Sequence, residues 1–407
     1  MRASVLLIFV LVLTIAVSAA AERQAAIIGL RLIAVKTEKE AVDLLVRLQA
    51  GEAFEVLARK YSTDFSSGAG GYLGMVNTSE LRHEFQEALT GVLPGQISPI
   101  VKLGQEYVLL QIMSDAEAHY NLGNVLRVQG RVDEAIDEYR EALRFDSNHA
   151  EAHHNLGAAF QDRGKLDEAA AEYHEAARVR PAFAEAHYNL GVVLSLQDKL
   201  VDATAEYREA LRINPHFAEA HQNLGSALQD QGLLDEAVNE YREAVRINPE
   251  YLQAHVNLGV ALTMQNKLEE ASAEYREALR IAPSFPEAHF NLGAAFQRQG
   301  KLNEAAREYR EALRSNPYYA EAHVNLGAVL KSQGMLDDAV GEFREAIRII
   351  PGLVEAHYNL AEALQAKGDR DDAAREFGVF VSLGQNNPDL KEKIEHARRI
   401  LSQLERH

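Results

Sequence analysis

Ala116-Glu117-Ala118-His119-Tyr120-Asn121-Leu122-Gly123 returns 34 residues later as Ala150-Glu151-Ala152-His153-His154-Asn155-Leu156-Gly157. The same segment starts again at Ala184 and Ala218, and in near-identical form at Leu252, Pro286, Ala320 and Val354. A 34-residue period is the length of a helix–turn–helix unit that cannot bury its apolar face alone, so neighbouring copies must supply the core. Small residues stand where the two helices must cross closely: Gly123, Ala135 and Ala142 in the first copy, Gly157, Ala169 and Ala176 in the second. Gly130, Gly164, Gly232, Gly300, Gly334 and Gly368 end the first helix, and Asp198 and Asn266 take that place in two copies. Asp and Asn are the residues that best tolerate a left-handed backbone after glycine, so a left-handed cap is expected in all eight. Asp133, Asp167, Asp235, Asn303, Asp337 and Asp371 are expected as N-caps of the second helix. Tyr139, Tyr173, Tyr207, Tyr241, Tyr275, Tyr309, Phe343 and Phe377 give that helix its large packing residue, and Pro181, Pro215, Pro249, Pro283, Pro317 and Pro351 close six copies. The expected fold is mainly α, a right-handed α-solenoid of eight helix-turn-helix repeats over 116–390. Residues 391–407 form a charged amphipathic helix whose Ile394, Ala397, Leu401 and Leu404 share one face and cap the last repeat.

Upstream of the array the period breaks. An apolar run at 29–35 reads as a strand, 38–48 and 53–61 as helices, 66–74 as a glycine-rich loop, 81–90 as a third helix and 108–113 as a closing strand. Residues 27–113 are therefore a small α+β domain, joined to the array through Ser114 and Asp115 without a linker. The first 21 residues read as a secretory signal: Arg2, an uncharged run from Val5 to Val17, then Ser18-Ala19-Ala20-Ala21 with small residues for cleavage after Ala20 or Ala21. Either the segment is cleaved or it stays as an N-terminal anchor; both place the mature chain outside the cytoplasm, periplasmic or secreted.

The composition narrows the functional classes. The 407-residue chain has a formal net charge of −18, which disfavours nucleic acid and anionic membrane surfaces as partners. It has no cysteine, which excludes disulfides, thiolate metal sites and cysteine nucleophiles. No phosphate-binding glycine loop, nucleophile elbow or paired-histidine zinc helix is present, so no cofactor is expected. The eight helix-A histidines, from His119 to His357, recur once per repeat. Packed helices lie about 8–10 Å apart, while zinc needs ligands about 2 Å from the ion, so this column cannot converge on a metal. Semi-buried packing residues, hydrogen-bonded between repeats, are the expectation.

The array resembles tetratricopeptide repeats without a gap from Ala116 to about Leu383. Its A-H-x-N-L-G start is similar to the repeats in the arm of the O-linked N-acetylglucosamine transferase, with histidine where the family more often has a bulky aromatic. The upstream domain resembles the parvulin-type (PpiC-like) peptidyl-prolyl isomerases. The residues that carry this are Val35-Lys36-Thr37-Glu38, Leu57-Ala58-Arg59-Lys60-Tyr61-Ser62, Gly70-Gly71-Tyr72-Leu73-Gly74, His83-Glu84-Phe85 and Pro94-Gly95-Gln96-Ile97-Ser98. The resemblance implies two histidines at the floor of a proline pocket. The matching positions hold Leu32 (or Arg31, if the register slips by one) and Val108. Tyr72 replaces an aspartate and Thr90 an aromatic. Asp64 stands at the family's cysteine-or-aspartate position and is the one catalytic candidate, with Leu32, Leu81, Phe85 and Val108 completing the peptide-binding pocket.

Catalysis of prolyl rotation means binding the twisted amide better than the planar one, through polar groups aimed at it. Loss of both histidines is expected to remove most of that while leaving an apolar pocket. In the array, the resemblance places the second, sixth, ninth and thirteenth positions of each first helix on the concave face. The sixth is Asn121, Asn155, Asn189, Asn223, Asn257, Asn291, Asn325 and Asn359, and the second is glutamate in seven copies and Gln253 in the other. A column of amides can donate to and accept from an extended peptide backbone whatever its sequence. Alternatively, each asparagine bonds only its neighbour, or is a harmless residue propagated with the repeat. The partners expected are protein or extended peptide clients, neutral or basic. Two functions compete: an exported adaptor or holdase-like scaffold, and an active secreted isomerase whose repeats recruit substrate.

Overall fold

The computed structural model describes residues 26–404. The expected signal segment lies outside the described residues, as does the side chain of Leu404. No helix among the described residues is long and apolar enough to cross a membrane. The chain forms two compact units that divide between Lys199 and Leu200.

The first unit opens with β1 (Ile27–Val35), α1 (Glu38–Gln49) and α2 (Phe54–Tyr61), followed by β2 (Tyr72–Asn77), α3 (His83–Leu89), β3 (Val101–Leu103) and β4 (Glu106–Ile112). The strands form one antiparallel sheet in the order β2-β1-β4-β3. Period-two alternation in β1 sends Leu30, Leu32 and Ala34 to one face and Ile33 and Val35 to the other. The first set packs with Phe85 and Leu89 of α3, the second with Ala41, Leu44 and Leu48 of α1 and Leu57 of α2. Thr37 and Glu40 close a capping box that starts α1. The glycine-rich segment is shorter than expected. Residues 65–69 wind into a 3-10 turn, Gly70 and Gly71 take positive φ, and Tyr72 already pairs with Arg31 in β2. Gly71 is obligatory there, because a Cβ would run into the Leu32 carbonyl oxygen.

The repeats follow as helix pairs. In the first unit these are α4 (Asp115–Val128) with α5 (Val132–Phe145), α6 (Ala150–Asp162) with α7 (Leu166–Val179), and then α8 (Ala184–Leu196). The second unit holds α9 (Leu200–Ile213), α10 (Ala218–Asp230), α11 (Leu234–Ile247), α12 (Leu252–Met264), α13 (Leu268–Ile281), α14 (Pro286–Arg298), α15 (Leu302–Ser315), α16 (Ala320–Ser332), α17 (Leu336–Ile349), α18 (Val354–Lys367), α19 (Arg370–Gly384) and α20 (Lys391–Leu404). In six pairs the large residue of the second helix is buried against the glycine of the first: a Cβ on Gly123 would sit 2.6 Å from the Tyr139 ring, and one on Gly293 2.9 Å from the Tyr309 ring. Asp198 and Asn266 take the left-handed conformation expected of them, with φ of 60° and 61°. At the end of the second unit Ile394, Ala397 and Leu401 of α20 pack on Ala361, Phe377 and Phe380 of the last pair.

The expected N-caps need correction. The second helices begin earlier, and the capping positions are Arg131, Lys165, Leu233, Lys267, Lys301, Met335 and Asp369, none with a side-chain cap. Asp133 and its equivalents lie inside the first turn, where an acid still suits the positive end of the helix dipole. Five of these side chains reach the next repeat instead: Asp133 binds Arg163 at 2.6 Å and Asp167 accepts from Gln197 at 2.9 Å. In the second unit Asp235 accepts from Gln265, Asn303 from Gln333, and Asp337 pairs with Lys367.

Candidate functional site

Four of the five residues expected around the proline pocket come together. Leu32 and Val108 lie on the same sheet face and join Leu81 and Phe85 in one apolar cluster. Val108 is 1% exposed and Leu32 and Phe85 are also buried, so Leu81, half-buried, is the member of the four nearest solvent. Arg31, the alternative at the first histidine position, is on the opposite face. Asp64 is occupied elsewhere: its Oδ1 accepts from the Ser66 backbone N–H at 2.8 Å and from the Ser66 hydroxyl at 2.6 Å, capping the 3-10 turn. Hydrocarbon at the two histidine positions offers shape and burial to an apolar side chain, and nothing that would favour a twisted amide over a planar one.

Two residues at altered positions of the family pattern have a different task. The Arg31 guanidinium, 7% exposed, places Nη1 2.6 Å from Glu117 of α4 and Nη2 3.4 Å from Glu55 of α2. The Tyr72 hydroxyl donates to the Ala118 carbonyl at 3.4 Å, and burial pushes its pKa up to about 12, so it remains a neutral donor. Between them, Gly29 of β1 meets α4 so closely that a Cβ would collide with that of Ala118. The sheet therefore packs directly on the first repeat helix. An arginine in an otherwise apolar strand is the sequence signal that it needs a carboxylate partner.

On the repeats, all eight asparagines of the sixth position are half-buried. In the first unit the Asn121 amide donates to the Glu117 carbonyl at 2.7 Å, that of Asn155 to Asn124 at 2.7 Å, and Asn189 meets His154 Nε2 at 2.8 Å. In the second unit the Asn257 carbonyl accepts from Gln253 at 2.8 Å. A primary amide has two donors and a carbonyl with two lone pairs, so one neighbour bond leaves capacity for a ligand. Glu185, Glu219, Gln253, Glu287, Glu321 and Glu355 at the second position are exposed, whereas Glu117 is held by Arg31 and Glu151 by Arg180.

Seven of the histidines on the first helices pair with a glutamate of the second helix: His119 with Glu138 at 2.6 Å and His357 with Glu376 at 2.6 Å are the outer examples. Among the described residues there is no group of three or more His, Asp or Glu that could hold a metal. The glutamate partners were legible as a second 34-residue column, offset by 19 residues from the histidines.

Both parts of the chain match known families. A family model described as TPR repeat matches 123–300 in overlapping segments, and two tetratricopeptide repeat models match 290–353 and 354–378. A PPIC-type PPIASE domain model matches 33–114. Chaperone SurA of Burkholderia thailandensis is 31% identical over 108 residues, 26% of this chain and 22% of that protein. Foldase protein PrsA of a Geobacillus species is 35% identical over 86 residues, 21% of this chain and 31% of that protein. The chain thus spans between about a fifth and a third of the length of these curated relatives. Among solved structures, PilF of Pseudomonas aeruginosa is 24% identical with a TM-score of 0.46, covering 52% of this chain and 97% of that one. A tetratricopeptide repeat protein of Parabacteroides merdae is 19% identical with a TM-score of 0.48, covering 61% of this chain and 98% of that one.

Proposed function

The chain belongs to the tetratricopeptide repeat proteins and carries a PPIC-type domain ahead of its repeats, and from that premise we propose that it is an exported adaptor with a chaperone-like role that holds polypeptide clients. The observation that carries this is a half-buried asparagine amide on the first helix of every repeat, with an exposed glutamate four residues before it in five of them. Amides of this kind bind backbone rather than side chains, and the carboxylates favour neutral or basic segments. The relatives named as a chaperone and a foldase support a polypeptide as the ligand. The apolar cluster around Leu81 and Phe85 adds a second place for an apolar client side chain.

The test is binding of a fluorescein-labelled, permanently unfolded neutral polypeptide to the full chain. Substituting Asn189→Ala, Asn223→Ala and Asn257→Ala together is expected to weaken binding about tenfold or more, as a few lost hydrogen bonds would, while the helical melt is unchanged. Unchanged affinity with an unchanged melt would sink the amide reading.

The isomerase reading has a separate test. In a protease-coupled assay on short X-Pro peptides the protein is expected to give no acceleration above the uncatalysed rate. Turnover that Asp64→Ala abolishes would reverse the assignment of the N-terminal domain.

A further inference from the structure

Six of the repeat histidines have acceptors at both ring nitrogens. Nδ1 lies 2.6 Å from Glu172 in His153, 2.7 Å from Glu240 in His221, 2.7 Å from Glu274 in His255, 2.8 Å from Glu308 in His289, 2.6 Å from Glu342 in His323 and 2.6 Å from Glu376 in His357. Nε2 of the same rings lies 3.0 to 3.3 Å from the backbone carbonyls of Ser147, Pro215, Pro249, Pro283, Pro317 and Pro351. Those carbonyls belong to the turn that closes the preceding repeat. A carboxylate and a carbonyl can only accept. A neutral imidazole carries one N–H, so it can serve one of them and must turn a lone pair on the other. Only the imidazolium donates to both.

We propose that the five of these histidines that also face a second glutamate, His153, His221, His255, His289 and His323, are imidazolium ions in the folded chain, each a proton-held clasp that fastens the first helix of a repeat to its second helix and to the turn before it. Each folding clasp takes up a proton, and the array loosens as the pH rises.

The surroundings favour the charge. Each of these five rings faces a second glutamate one turn along the second helix, Glu175, Glu243, Glu277, Glu311 and Glu345, where the repeat of His357 has Val379. These in turn pair with Arg178, Arg246, Arg280, Arg314 and Arg348. His174 lies beside Glu175, His216 close to Glu243, and Arg307 binds Glu308 at 3.4 Å. Burial alone would push His153, His221, His255 and His323 down. The paired carboxylate, the turn carbonyl and the second glutamate outweigh it and hold each above its usual value. At His289 the bond to Glu308 is the largest influence and acts the same way. A raised folded value means stabilisation that is complete below the unfolded value of about 6.5 and drains away as the pH climbs through the folded one. The clasps also take five units off the formal net charge of −18.

Two measurements on the full chain test this. Long-range nitrogen–proton NMR of the imidazoles at pH 7 is expected to show the rings of His153, His221, His255, His289 and His323 with both nitrogens protonated. Neutral tautomers in a natively helical protein would overturn the proposal. Calorimetric refolding in buffers of different ionisation enthalpy is expected to show net proton uptake, up to about 0.8 proton per clasp at pH 7. His255→Gln and Glu274→Gln should each remove one clasp's share. Uptake unchanged in a folded His255→Gln variant would equally overturn it. Should both variants fail to fold, the NMR of the unsubstituted chain decides.

Discussion

At the residue scale the array is governed by what a single methyl group or charge would meet. Gly123 faces the ring of Tyr139 in a fully buried crossing, so Gly123→Ala is expected to cost about 1–3 kcal/mol as overpacking, measured by urea unfolding. This much was legible in the sequence, because small and large residues alternate with the repeat period. Asp198 and Asn266 were legible for the same reason: a left-handed turn admits few residue types. The asparagines were legible as a column, but their neighbours were not. Asn124 and His154, which bond Asn155 and Asn189, differ from copy to copy and leave no periodic mark. Nor could the task of Asp133 be read from its position, because its partner, Arg163, sits 30 residues away, just past the end of α6.

At the scale of elements the decisive contact is β1 and β2 against α4. Arg31 is taken out of water while Glu117 keeps about a third of its exposure, so the two ends of the ion pair are unequal. Glu117→Ala leaves a buried guanidinium with only the longer contact to Glu55 and is expected to cost about 1–3 kcal/mol. Arg31→Met removes the buried charge itself and lets Glu117 hydrate, so its cost is expected to stay below about 1 kcal/mol. Denaturant unfolding of the two variants checks the order; a larger loss for Arg31→Met would mean that the arginine's own packing, and not its charge, holds the elements together. The secondary structure of the N-terminal domain was legible where periodicity is strong, in β1, α1 and α2. β2 and β3 were not read, because one hides behind glycines and the other is three residues long.

At the scale of the molecule, each unit repeats one solution: a helix pair whose open face is closed by the next. The second unit ends in α20, whose apolar residues cover Phe377 and Phe380. The first unit begins with a sheet rather than a helix against its first repeat, and the glycine at Gly29 is what lets the two backbones approach. The sheet thus meets a surface that most first helices carry, since Glu117-Ala118 recurs as Glu151-Ala152 and Glu185-Ala186. What is peculiar to this contact lies on the strand side, in Gly29 and Arg31, which make the domain a lid shaped for the end of a stack.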